Sequence, residues 1–269
     1  MPFTENDGTR IYWDEAGQGA PVLLIMGLGW ASNMWHRTRP LLARRYRTIA
    51  FDNRGAGRSA VPPGPYSIAA MAADAAAVLD AAGIDSAHLV GASMGGMIAQ
   101  EFALQYPARV RSLVLACTAP GGPQTQHAGP EVTDVLFSTG LSPAERARAI
   151  VPFIFDPGTP RERVEEDLAV LSQLYPNPQG FFAQLQGILA WEAYTRLPQI
   201  TPPTLVIHGV NDRLVPAPNA DLIAARIPSA RLVKLADAGH ILFTDQPAKS
   251  HDAVLEFLAV QSAPGESRQ

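Results

Sequence analysis

Ala87-His88-Leu89-Val90-Gly91-Ala92-Ser93-Met94-Gly95-Gly96-Met97-Ile98-Ala99-Gln100-Glu101-Phe102-Ala103-Leu104 is the stretch on which the fold turns. Its first four residues read as a buried strand. Met97 to Leu104 read as a helix that must stop before Pro107. Between them stands Gly91-Ala92-Ser93-Met94-Gly95, a Gly-x-Ser-x-Gly. A strand that turns sharply into a helix is the setting of a nucleophile elbow. Such a turn leaves no room for flanking side chains, so glycine stands on either side of the serine. The serine hydroxyl is pushed out above the sheet, and the helix start turns its N–H groups and positive dipole end toward it.

Outward from the elbow, strands and helices alternate. Asn6-Asp7-Gly8 is a hairpin signal between Phe3-Thr4-Glu5 and Arg10-Ile11-Tyr12-Trp13. Pro21 to Met26 and Tyr46 to Phe51 read as strands, with helical character around Pro40 to Arg45. Ser67 reads as the N-cap of a helix carrying Met71, Ala75, Val78 and Leu79 on one face, and Gly83 ends it. Arg111 to Ala116 is the next strand. The alternation predicts an α/β fold, a mostly parallel sheet flanked by helices, with its active site at the carboxyl ends of the strands. The pattern breaks after Ala119. Pro143 to Ile150, Pro160 to Leu174 and Pro178 to Tyr194 read as helices with no strand among them, and sheet signals resume at Thr204 to Gly209. We therefore expect residues 1–120 and 199–262 to form the core domain. Residues 121–198 are expected to form a helical cap inserted between sheet strands and folded over the serine. Residues 263–269 are expected to form a flexible tail.

Hydrophobic residues make up 47% of the 269, enough for a sizeable core. The formal net charge of -4, without a basic run, argues against nucleic acid as a partner. The single cysteine, Cys117, excludes an intrachain disulfide and reads as a buried strand thiol. No basic-then-apolar leader is visible at the N-terminus, and Val22 to Trp30 is too short to cross a bilayer. The expectation is a cytoplasmic protein with no membrane partner; a homo-oligomer stays open.

A serine hydroxyl needs a base, and the base needs a group that fixes its tautomer and stabilises its charge. Of six histidines, His240 lies in Asp237-Ala238-Gly239-His240, on a loop just past the strand-like Arg231 to Leu235. His88 and His208 lie within strands and read as core or as neighbours of the site. His36, His127 and His251 carry no partner pattern. The orienting acid belongs at a strand end between serine and histidine. Asp212 fits, at the end of Ile207-His208-Gly209-Val210-Asn211-Asp212, whereas Ala116-Cys117-Thr118-Ala119 offers no acid. Asp237 and Asp245 are too close to His240 along one loop. The order Ser93, Asp212, His240 is that of Ser…Asp/Glu…His hydrolases. An oxyanion requires two N–H donors: the backbone of Met94, and that of Leu28 in Met26-Gly27-Leu28-Gly29-Trp30. Asp52-Asn53-Arg54-Gly55-Ala56-Gly57-Arg58-Ser59 lacks a full phosphate-binding fingerprint and reads as a structural turn. No metal-ligand spacing occurs, so neither metal nor cofactor is expected.

With these motifs in place, the chain resembles the α/β-hydrolase superfamily from about Arg10 to Leu258. The resemblance rests on the elbow, the Asp-Asn-Arg-Gly-Ala-Gly-Arg-Ser turn, the His-Gly-Val-Asn-Asp loop and the Ala-Gly-His loop. Within it the chain is similar to small capped carboxylesterases and 3-oxoadipate enol-lactonases. It departs where many relatives carry His-Gly before the oxyanion residue, having Met26-Gly27 instead. Serine at the elbow separates it from haloalkane dehalogenases and epoxide hydrolases, which place aspartate there. Cofactor-free haloperoxidases share the triad and a tryptophan matching Trp35, but usually carry proline at the place of Gly29.

The reading is a serine hydrolase acting on a small or medium ester or lactone, with water as the other reactant. Ser93 is the nucleophile, His240 the base and Asp212 the orienting acid. Trp30, Phe153, Phe155, Trp191, Tyr194, Ile241 and Leu242 are the candidate apolar pocket. No arginine or lysine is obviously placed for a substrate carboxylate, which favours a neutral ester over an enol-lactone, with Arg54 and Arg146 the ones to test. The alternatives are a carbon–carbon bond hydrolase or a perhydrolase on the same triad, or a ligand-binding member of the fold without turnover.

Overall fold

Asp7 and Gly8 both take left-handed backbone (φ 48 and 67), the pair of conformations a two-residue hairpin turn requires. They join β1 (Phe3–Asn6) to β2 (Thr9–Ala16) at the edge of one eight-stranded sheet. The computed structural model describes residues 3–262. The remaining strands are β3 (Ala20–Ile25), β4 (Tyr46–Phe51), β5 (Ala87–Ala92), β6 (Val110–Ala116), β7 (Thr204–Gly209) and β8 (Ala230–Leu235), in the order β1-β2-β4-β3-β5-β6-β7-β8. The β1–β2 and β2–β4 pairs are antiparallel; every pair from β4 to β8 is parallel.

The parallel strands are apolar along both faces because both are covered. Alternate residues of β3 go to opposite sides. Leu23 and Ile25 lie on the face whose apolar cluster is completed by residues of α2 (Ile68–Ala81), α3 (Met94–Gln105) and, farther along the sheet, α9 (Pro218–Arg226). Val22 and Leu24 pack with Trp35, with Leu42 of α1 (Arg39–Leu42) and with Val254, Phe257 and Leu258 of α11 (Pro247–Ser262). Ser67 caps α2 by accepting from the Ala70 N–H at 3.0 Å. Gly83 follows it at φ 65.

Between β6 and β7 the chain forms α4 (Pro130–Phe137), α5 (Pro143–Ala149), α6 (Val151–Ile154), α7 (Arg161–Ser172) and α8 (Pro178–Ala190). The sequence pattern carries α8 to Tyr194, but the helix stops at Ala190. Tertiary bonds pull the chain straight there. The Trp191 indole donates to Glu101 Oε2 at 2.8 Å, Glu192 bridges to Gly121, and the Ala193 N–H reaches the Pro120 carbonyl at 2.9 Å. The insertion thus leaves and rejoins the core at one point. α4 has no counterpart in the sequence reading. The expected tail, residues 263–269, lies outside the described residues. Among the described residues no helix is long and apolar enough to cross a membrane.

Candidate active site

The carboxyl ends of β3, β5, β6, β7 and β8 lead into the loops that carry Gly27, Ser93, Cys117, Asp212 and His240. Ser93 has φ 57 and ψ -122, a conformation that costs an L-residue free energy and is held only by its surroundings. Its N–H donates to the Ala116 carbonyl at 2.9 Å, and its carbonyl accepts from Thr118 Oγ1 at 2.7 Å. The flanking glycines are sterically compelled. A Cβ on Gly91 would lie 2.2 Å from the Gly95 carbonyl oxygen, and one on Gly95 2.0 Å from that of Ile25.

His240 Nδ1 stands 2.7 Å from Asp212 Oδ2. Asp212 Oδ1 accepts from the Leu214 and Val215 N–H groups at 2.9 and 2.8 Å. Burial pushes the Asp212 carboxyl up, but the facing His240 and His208 outweigh it and hold the group below the usual range. With a carboxylate at Nδ1 the proton belongs there, leaving Nε2 of His240 as the basic atom. His208 Nε2 lies 2.7 Å from the Val215 carbonyl and 3.2 Å from Asp212 Oδ2. Both neighbours only accept, so Nε2 carries its proton and steadies the acid from behind.

The loop that carries His240 is fastened to the inserted helices. The Gly239 N–H donates to Asp245 Oδ2 at 2.7 Å, and the Ile241 N–H to the Ile154 carbonyl at 3.0 Å. Asp245 Oδ1 accepts from Thr159 Oγ1 at 2.6 Å. Asn211, beside the acid, donates to Asp156 Oδ2 at 2.7 Å. The sequence reading sets Asp245 aside only as the orienting acid and has no place for Asp156; neither is expected to hold the loops of the site. Each acts on a backbone or loop amide, and no residue spacing announces such a partner.

Cys117 is buried, as its apolar surroundings suggest, but it stands one residue past β6 at φ 49 rather than in the strand. Its thiol, a carboxylate oxygen of Asp212 and a ring nitrogen of His240 all lie within 4.8 Å of one another. Burial, then the Asp212 charge, pushes the thiol well above its ordinary range, so it stays protonated. A protonated thiol beside a carboxylate already holding a histidine and two amides fits a packed wall better than a metal seat.

Leu28 faces the same cavity as Ser93 and His240. A Cβ on Gly27 would stand 3.0 Å from Ser93 Cβ, so this loop passes directly beside Ser93. Gln184 of α8 ties the loop down, accepting from the Gly29 N–H at 2.7 Å and donating to the Arg54 carbonyl at 2.7 Å. Met94 is the first residue of α3, where a helix amide has no partner of its own. Among the described residues no protein acceptor is bonded to the Leu28 or Met94 N–H.

Ser93 and His240 open into a cavity of about 290 Å³, walled by Trp30, Met34, Leu171, Phe181, Phe182 and Ile241 among others. Of the expected pocket residues, Trp30 and Ile241 are on this wall; the other five are elsewhere. Phe153 lies under the Arg213 guanidinium at 4.7 Å, and Tyr194 under that of Arg226 at 4.9 Å. Trp191 is turned toward Glu101 in the core, Leu242 is fully buried, and Phe155 faces a separate recess beside Asp156 and Thr159. Phe181, Phe182 and Leu171 take the lining places because the inner faces of α7 and α8 point at the cavity, which apolar spacing alone does not separate from core.

The Asp52–Ser59 segment is structural. Asp52 accepts from the Ser32 N–H at 2.7 Å and the Arg58 guanidinium at 2.8 Å. Arg54 is locked onto buried Asp74 by two bonds of 2.7 Å.

The chain is similar to known proteins over nearly its whole length. A protein named as a carbamate hydrolase, RutD, from Azorhizobium caulinodans is 33% identical over 96% of this chain and 98% of its own. One named as a non-heme bromoperoxidase, BpoC, from Mycobacterium tuberculosis is 31% identical over 93% of this chain and 98% of its own. The crystal structure of the enol-lactonase from Burkholderia xenovorans LB400 superposes with a TM-score of 0.85 at 26% identity, covering 96% of this chain and 100% of that one. The sheet order, the elbow and these likenesses agree with the family match over residues 20–247, and the chain belongs to the alpha/beta hydrolase fold family.

Proposed function

We propose that the protein is a serine hydrolase of small to medium esters or lactones, and that its inserted helices act as a cap over the reacting groups. One observation carries the reading: Ser93 on its strained elbow and His240, held from behind by Asp212, share one mainly apolar cavity. Ser93 Oγ attacks the acyl carbon and gives its proton to His240 Nε2. Asp212 holds the resulting imidazolium, and the Leu28 and Met94 N–H groups take the oxyanion. Collapse returns the proton to the leaving alcohol, which in a lactone stays tethered to the acyl group. Water, deprotonated by His240, then releases the acid from Ser93. The aromatic and aliphatic walls support a hydrocarbon chain on the acyl group.

The test is hydrolysis of p-nitrophenyl esters of graded acyl length, with Ser93→Ala beside the wild type. Turnover that disappears in the variant supports the mechanism, and the best chain length measures the cavity. A folded wild type that cleaves none of them, nor simple lactones, overturns it.

A further inference from the structure

Two arginines stand on the wall of the cavity, and they differ in what faces them. Arg37 is paired, with Asp167 Oδ1 at 2.9 Å and Glu166 Oε2 at 2.7 Å. Arg146 of α5 has no carboxylate within ion-pair distance among the described residues. Its guanidinium instead meets the C-terminal turn of α4. Nη1 donates to the Val135 and Leu136 carbonyls and Nη2 to that of Ser138. The centre of the group lies 5.1 and 5.5 Å from the rings of Phe181 and Phe182, which also line the cavity.

A guanidinium has five N–H donors, and three are accounted for. The two left are the Nε–H and one on Nη2. Nε and Nη2 stand on one edge of the guanidinium plane, the edge on which a carboxylate can sit side-on. The negative end of α4 holds the group rigidly without neutralising it. Burial pushes the Arg146 pKa down, the mark of a charge partly stripped of water. Arg54, the other cation singled out in the sequence, is spent on Asp74 and unavailable.

We propose that Arg146 is an anion anchor, and that the preferred substrates carry a terminal carboxylate on the acyl chain, as half-esters of dicarboxylic acids do. This rests on the ester and lactone reading above, and it replaces the neutral ester expected from the sequence with a charged one. The apolar walls take the methylene chain, Ser93 takes the ester carbonyl, and Arg146 takes the far end.

The experiment compares mono-p-nitrophenyl glutarate with p-nitrophenyl pentanoate, acyl chains of equal length that differ in the terminal carboxylate. Wild type, Arg146→Gln and Arg146→Lys are assayed, with thermal melts to show each is folded. The wild type is expected to favour the half-ester through a lower KM. The ratio of kcat/KM, half-ester over neutral ester, is expected to fall about tenfold or more in Arg146→Gln and to recover in part in Arg146→Lys. A ratio unchanged by Arg146→Gln overturns the anchor. Glutarate binding to Ser93→Ala, measured by calorimetry, reads the anchor without turnover. Binding that Arg146→Gln abolishes in that background supports it even if neither ester is cleaved, an outcome that sinks the ester reading alone. Absence of glutarate binding with normal ester turnover sinks the anchor alone.

Discussion

Asp212 gives one oxygen to His240 Nδ1 at 2.7 Å and the other to two backbone amides, so neither the carboxylate nor the ring it faces is free to rotate. Asp212→Asn keeps an acceptor for the amides of Leu214 and Val215 but turns an NH₂ toward the ring. That favours the tautomer with Nε2 protonated, which cannot act as a base. The variant is expected to melt near the wild type while kcat falls roughly 10³- to 10⁴-fold. Turnover within tenfold of wild type, measured by burst-free steady-state assay, would reduce the pair to a structural contact.

Ser93 carries its strain in the backbone, at φ 57 and ψ -122. Ser93→Ala is expected to lose kcat by a factor on the order of 10³ to 10⁶. Ser93→Gly loses it too, but also relieves the clash that any Cβ suffers there. Glycine is expected to exceed alanine in unfolding free energy by about 1 kcal/mol. Equal urea midpoints for the two variants would show that the elbow is not strained.

Local and periodic features explain how far the sequence could be read. The Asp7-Gly8 hairpin, the Ser67 cap, the strand runs and the elbow are each set by neighbours a few residues apart, and the structure has all of them. The Asp212–His240 bond was legible because both residues follow strand-like runs, and parallel strands deliver their carboxyl ends to one edge. The cavity wall was not. Trp191 and Phe182 look alike as letters, and only the straightening of the chain after Ala190 turns one into the core while the other faces the cavity. Arg146 likewise reads as a helix surface residue until α4 folds against it.

Gly95 sits where α3 crosses β3. A methyl there would overlap the Ile25 carbonyl at 2.0 Å, and backbone cannot step aside as a side chain can. Gly95→Ala is expected to cost on the order of 3 kcal/mol or more. Gly140, in the loop after α4, has nothing within 4 Å of an added Cβ. Gly140→Ala is expected to be neutral or to stabilise by about 0.5 kcal/mol. Urea unfolding of the pair checks both, and comparable losses would contradict the close approach.

Asp245 joins the base loop to the inserted helices, and burial pushes its pKa up to about 6, helped by the nearby Asp156 carboxylate and opposed by Thr159 and the Gly239 and Asp156 amides. Unfolded, the group has an ordinary aspartate pKa, so between about pH 4 and pH 6 the folded protein holds a proton that the unfolded chain has released. The stability this contributes is therefore full below about pH 4 and is lost as pH rises through about 6. Asp245→Asn cannot titrate at that position. The unfolding free energy of wild type minus that of the variant is expected to decline from pH 4 to pH 7, by on the order of one to three kcal/mol. Subtraction removes the contributions of the other carboxylates, which both proteins share. Urea midpoints at four or five pH values give the curve. A difference that stays flat, or that grows with pH, would mean the three hydrogen bonds to the charged carboxylate outweigh its burial.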